Sequence, residues 1–305
     1  MNHKFEWTVL GASVAGTSHA KSGKPCHDAH LVLQLEAGEL GSVLIMAVAD
    51  GAGSAAYAHE GAMIAVDVAV SSIAEAVEGL AAPLPERSIR ADDADWRSSC
   101  WKDAVEKLMQ DAFQASHDAI DAHAKIQQHS IRDYHTTLVM TIVTAEAVVT
   151  GMIGDGAVVA ERNVVIEQNM DEDEATMIAE TIAHSDSTQQ TELVSLCQPQ
   201  RGEYANSTYF LTQPTFTEHV TIDIHFGQYE AIALLTDGLL PLAMNIAKNR
   251  PHQPFFEPLF KFVQSVDDDD DAFATAQTQL ADFFDSARVN QRTDDDKTLV
   301  IAVRR

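Results

Sequence analysis

Ser42-Val43-Leu44-Ile45-Met46-Ala47-Val48-Ala49-Asp50-Gly51 is an apolar run that stops at an aspartate and a glycine. Such a run reads as a strand buried on both faces. The segment before it, His30-Leu31-Val32-Leu33-Gln34-Leu35, reads as its strand partner across the turn Glu36-Ala37-Gly38-Glu39-Leu40-Gly41. Residues 137–143 and 147–153 repeat the arrangement around Thr144-Ala145-Glu146. Strands that follow one another at hairpin separation pair antiparallel, because a parallel return needs a long crossover.

Outward from these pairs the periodicity changes. Met63, Val66, Val70, Ile73 and Val77 recur at three- and four-residue steps, which predicts a helix over 60–80. Pro83 and Pro85 end it, and 86–99 is polar enough for a loop. A second long helix is expected over 101–128, with Val105, Leu108, Met109, Ala112, Phe113 and Ile120 on one face. Further strands are expected at 7–12, 208–211, 220–226, 230–235 and 298–303, and a short hairpin at 158–161 and 164–167 around Arg162-Asn163. Residues 241–258 are punctuated by proline and partly helical, and 271–287 reads as a helix. The order predicts an α+β fold of layered antiparallel sheets with helices outside, against a doubly wound parallel sheet. Neither repeat nor linker divides the chain, so 1–305 reads as one domain, with a polar excursion at about 169–200.

Composition narrows the function. Hydrophobic residues make up 46% and charged residues 22%, a globular profile. Net charge is −26, from 46 acidic and 20 basic side chains, which argues against nucleic acid and anionic membranes as partners. Cys26, Cys100 and Cys197 are an odd set without C-x-x-C spacing, as expected of reduced cytoplasmic thiols.

Three further segments share the Asp50-Gly51 pattern of a carboxylate at a strand boundary. They are Gly154-Asp155-Gly156, Thr236-Asp237-Gly238 and Asp294-Asp295-Asp296-Lys297-Thr298. Each alone is an ordinary turn signal. Together they place carboxylates beside buried strands, where they repel one another unless a cation or protons neutralise them. Hard oxygen ligands of this kind suit magnesium or manganese. The aspartate run 267–271 reads differently, as a solvated loop with Asp271 capping the next helix. His19, His27, His59 and His135 fall in no ligand-spaced pair, and Thr136-Thr137 reads as strand propensity. A serine nucleophile lacks its Gly-x-Ser-x-Gly elbow, and Cys26 lacks the arginine-rich loop of a cysteine phosphatase.

The order of these segments resembles the metal-dependent PP2C-like serine/threonine protein phosphatases, bacterial members above all. The likeness runs from Gly11-Ala12-Ser13-Val14-Ala15-Gly16-Thr17-Ser18-His19 through Pro25-Cys26-His27-Asp28, Asp50-Gly51-Ala52-Gly53, Thr136-Thr137, Gly154-Asp155-Gly156 and Thr236-Asp237-Gly238 to Asp295-Asp296-Lys297-Thr298. It implies a four-layer α-β-β-α sandwich with two antiparallel sheets and a centre of two, or three, Mn2+ or Mg2+ ions at one edge. Asp50 would bridge two ions, the Gly51 carbonyl would bind one, and Asp237 and Asp295 the other. Asp28 would act through water, and Asp155 with Asp237 would form an accessory site. The implied reaction is hydrolysis of phosphoserine and phosphothreonine by water that two metals activate. The implied partners are a phosphoprotein substrate and a Ser/Thr kinase.

Three positions depart from the family's usual pattern. His27-Asp28 stands where Glu-Asp or Gln-Asp is common. Ala52 stands where eukaryotic members often carry a histidine. The phosphate-binding arginine has no counterpart before Asp28, which leaves Lys21 or Lys24 to supply a point charge. A non-catalytic regulatory module and a hydrolase of small phosphoesters stay open beside the phosphoprotein phosphatase.

Overall fold

The computed structural model describes residues 6–80, 94–164, 190–200, 208–245, 248 and 250–305. Its strands, in chain order, are β1 (Trp7–Val14), β2 (Ala29–Glu36), β3 (Ser42–Ala49), β4 (Leu138–Val143), β5 (Ala147–Ile153), β6 (Ala157–Val164), β7 (Gln190–Cys197), β8 (Thr221–Phe226), β9 (Ala231–Leu235), β10 (Met244–Asn245), β11 (Arg250–Pro251) and β12 (Lys297–Arg304). Among the described residues they form two five-stranded sheets, β2-β3-β4-β5-β8 and β1-β12-β9-β6-β7, and a small β10-β11 pair. Every pairing is antiparallel.

The apolar run of β3 follows from where that strand sits. Leu44, Met46 and Val48 point toward the other sheet, where they join Val139, Val148 and Met152 against Val158, Ile232, Leu234 and Val300. The alternate residues Ile45, Ala47 and Ala49 point outward under helices. A strand covered on both faces has no solvent side, so period-2 alternation disappears. Those helices are α2 (Ala58–Leu80) and α3 (Ala94–Gln127), which follow a short α1 (Thr17–Ser22). Ser116, fully buried on α3, donates to the carbonyls of Ala65 on α2 and Ala112 and ties the two helices together.

The outer face of the second sheet, with Leu10, Leu235, Leu299 and Ile301, is covered by Phe256, Phe260, Val263, Leu280 and Phe284. These belong to α5 (Gln253–Gln264) and α6 (Asp270–Phe284), flanked by the short α4 (Leu240–Ala243) and α7 (Ala287–Asn290). The layer order is helix, sheet, sheet, helix, as the α+β sandwich reading requires. No helix among the described residues is long and apolar enough to cross a membrane.

Several local expectations are corrected. The hairpin expected at 158–161 and 164–167 is not what the described residues show: 158–164 belong to one strand, β6, which pairs with β7, and 165–167 lie outside the described residues. Arg162 and Asn163 are polar because they sit at an exposed strand end, where Arg162 bonds Glu192 at 2.8 Å and Asn163 bonds Glu230 at 2.8 Å. Part of the polar excursion is therefore sheet edge, and residues 169–189 lie outside the described residues. Residues 94–99 already belong to α3, whereas 86–93 lie outside the description. Residues 208–211 are not a strand; they lead into a turn, with the Leu211 N–H donating to the Thr136 carbonyl. Met63 is 59% exposed, because the buried stripe of α2 is centred on Ala62, Val66, Ala69 and Ile73 and leaves Met63 on its rim. The cap of α6 is Asp269, whose Oδ1 accepts from the N–H groups of Asp271 and Ala272.

Candidate active site

The site is assembled from strand ends of both sheets. Asp50 follows β3, and its backbone is locked on both sides. Its N–H donates to Thr137 Oγ1 at 2.9 Å, and its carbonyl accepts from Thr137 N–H at 2.8 Å and Thr136 Oγ1 at 3.0 Å. The two threonines thus hold the chain that carries Asp50, a role their strand propensity did not announce. Gly51 bridges to Thr136, and a side chain there would lie 2.6 Å from the Ala58 carbonyl oxygen. Gly238 is tighter still, since a Cβ would stand 1.8 Å from the Asp296 carbonyl oxygen. The glycine of this Asp-Gly step therefore lets the β9 and β12 loops close on each other.

Asp50, Asp155 and Asp237 each bring a carboxylate oxygen to within 4.8 Å of the other two. Asp28 adjoins them. Its buried carboxyl abuts that of Asp50, and its Oδ2 accepts from Thr236 Oγ1 at 2.7 Å. Thr236 in turn accepts from the Thr298 N–H at 3.1 Å, so Asp28 is anchored to the β9–β12 pair.

Burial and mutual repulsion raise the pKa values of this group. Burial pushes Asp28 up to about 7 despite its bond from Thr236. Burial first, then Asp28, Asp155 and Asp295, hold Asp50 well above the usual carboxylate range. Asp155 is raised by burial and by Asp295. Burial, then Asp50, Asp155 and Asp295, push Asp237 up to about 9. The free carboxylates oppose one another, so the arrangement favours protons or a cation. Asp28 Oδ1 and Asp155 Oδ1 are also buried and accept no hydrogen bond. An all-oxygen donor set with unsatisfied oxygens fits a hard divalent ion.

Asp295 stands outside the tight trio. It is exposed, and its Oδ1 accepts from the Asp296 N–H at 2.9 Å, yet its charge is felt by Asp50, Asp155 and Asp237. The resemblance implies Asp237 with Asp295 on one ion and Asp155 with Asp237 at an accessory site; the carboxylates that lie closest together here are those of Asp50, Asp155 and Asp237. Lys24 Nζ reaches the Gly53 carbonyl at 3.5 Å, in the loop after Asp50, and Lys21 is exposed on α1.

Asp296 was not singled out from the sequence, where it is one of three consecutive aspartates. Its side chain is almost fully buried. It accepts from the Gly16 N–H at 2.6 Å, the His27 N–H at 2.5 Å and His19 Nδ1 at 2.9 Å. It thereby moors the segment that carries Asp28.

The family model for protein phosphatase 2C matches residues 15–285. The chain belongs to this family. As a PP2C-type phosphatase it is 29% identical over 299 residues to serine/threonine-protein phosphatase 3 of Escherichia coli K12, covering 98% of this chain and 99% of that relative. Two solved structures share the fold. The serine/threonine phosphatase Stp1 of Staphylococcus aureus superposes with a TM-score of 0.52 at 12% identity, covering 100% of this chain and 99% of that one. A bacterial serine phosphatase also gives 0.52 at 12% identity, with 97% of each chain covered.

Proposed function

We propose that this phosphatase removes phosphate from phosphoserine and phosphothreonine in proteins, using magnesium or manganese ions held by Asp50, Asp155 and Asp237, with Asp28, Asp295 and the Gly51 carbonyl contributing. The observation that carries this reading is the convergence of three carboxylates within 4.8 Å beside buried, unsatisfied carboxylate oxygens. Bound there, paired divalent ions would supply the positive charge that acidifies water and offsets the phosphoryl charge.

The chain's own residues would do the rest. Thr236 fixes one oxygen of Asp28 and leaves Oδ1 to accept a hydrogen bond from the attacking water. Lys24, beside the Gly51–Gly53 loop, and Lys21 give the incoming phosphate compact positive charges. Ala52 offers no proton, so solvent protonates the leaving alkoxide. A net charge of −26 favours phosphosites flanked by basic residues. A Ser/Thr kinase in the same cytoplasmic compartment would supply the substrate.

Hydrolysis of p-nitrophenyl phosphate and of a phosphothreonine peptide, with manganese, with chelator and with Asp50→Ala, tests the reading. Manganese-dependent turnover of both that Asp50→Ala abolishes is expected. Inactivity on both would overturn the enzyme reading. Turnover of the small ester alone would overturn the phosphoprotein assignment.

A further inference from the structure

A second cluster of ligating side chains lies beside the carboxylate group but shares none of its members. His19 is on α1 and His27 lies just before β2, yet their rings are 4.1 Å apart, centre to centre. Asp296 completes the group, with Oδ2 at 2.9 Å from His19 Nδ1. Each of the three brings a ligating atom to within 4.8 Å of the others. His27 is 4% exposed, and its Nδ1 is buried without a hydrogen-bond partner. Leaving such a polar atom buried and unpaired is unfavourable, which makes the position one that a ligand would relieve.

We propose that His19, His27 and Asp296 form a transition-metal site that takes zinc or a similar borderline divalent ion. The donor chemistry separates it from its neighbour. Two imidazole nitrogens and one carboxylate suit zinc, whereas the all-carboxylate trio suits magnesium or manganese. Three protein ligands leave a fourth position for a water molecule. For His19 Nδ1 to serve as the ligand, the ring must carry its proton on Nε2, which exchanges the Nδ1–Asp296 hydrogen bond for the ion and leaves the charge of the ring unchanged. The ion would join α1, the His27-Asp28 step and the start of β12, and so stiffen the platform on which Asp28 stands. The proposal does not depend on what the carboxylate trio hydrolyses.

The test uses the full chain, stripped with chelator and then saturated with magnesium to fill the carboxylate trio. Zinc chloride is titrated in by calorimetry, and retained zinc is counted by elemental analysis after gel filtration. One retained zinc per chain is expected, with affinity at least tenfold weaker in His27→Gln and unchanged in Asp237→Asn. Three results would overturn the assignment: no zinc retained by the wild-type chain, equal retention by His27→Gln, or loss in Asp237→Asn. Cobalt loading of the wild-type chain gives a readout independent of how the variants fold. The strong visible absorption of four-coordinate cobalt is expected, and only weak absorption of six-coordinate cobalt would count against the site.

Discussion

Asp237→Asn should stabilise the metal-free protein at alkaline pH. Burial and the neighbouring carboxylates push Asp237 from 3.8 up to about 9. The sign follows from proton counting. Between those values the folded state keeps a proton that the unfolded chain has lost, so stability falls as pH rises through this window. Below 3.8 both states are protonated and the penalty is absent. At pH 8 the gap from 3.8 corresponds to roughly 5–6 kcal/mol at about 1.36 kcal/mol per pH unit. Relaxation and water entry at this half-buried site cut that to about 2–3 kcal/mol. Urea unfolding in chelator at pH 5.5 and pH 8 should show the loss, and the asparagine variant should recover most of it at pH 8. Saturating manganese should abolish the wild-type deficit, because the ion replaces the missing positive charge. General repulsion from the acidic surface also grows with pH, so the wild-type–variant difference is the diagnostic quantity. An Asp237→Asn chain no more stable than wild type in chelator at pH 8 would refute the reasoning.

Thr236→Val keeps the shape of the side chain but removes the donor to Asp28 Oδ2. It should cost about 1–2 kcal/mol of stability and lower kcat more than KM, measured by steady-state kinetics with a phosphopeptide. Ile73→Ala should cost about 2–5 kcal/mol, since Ile73 is fully buried between α2 and the first sheet. Met63→Lys should change stability by less than about 0.5 kcal/mol, because Met63 lies on the exposed rim; thermal unfolding distinguishes the two.

Legibility in the sequence tracked how local the responsible physics was. The run 42–49 could be read as a doubly buried strand because each residue's burial follows from the layers above and below it. The Asp-Gly steps were readable as strand ends for the same reason. The Met63 error shows the limit of periodicity. Large residues mark a helical stripe, but on α2 the small alanines mark where the helix approaches the sheet. The hairpin error around Arg162-Asn163 has a related cause, since polar residues signal exposure without distinguishing a turn from a strand end.

The chain alone determined the layered antiparallel α+β class and the aspartates that stand at its strand boundaries. Each was written in a pattern a few residues long. Tertiary structure alone decided that Asp155 rather than Asp295 completes the tight trio, and that Asp296 turns inward. It also decided that His19 and His27 meet across that carboxylate. The bonds responsible join residues 269 to 280 positions apart. No local spacing records such a contact, because it exists only once β12 has closed against β1 and brought the two ends of the chain together.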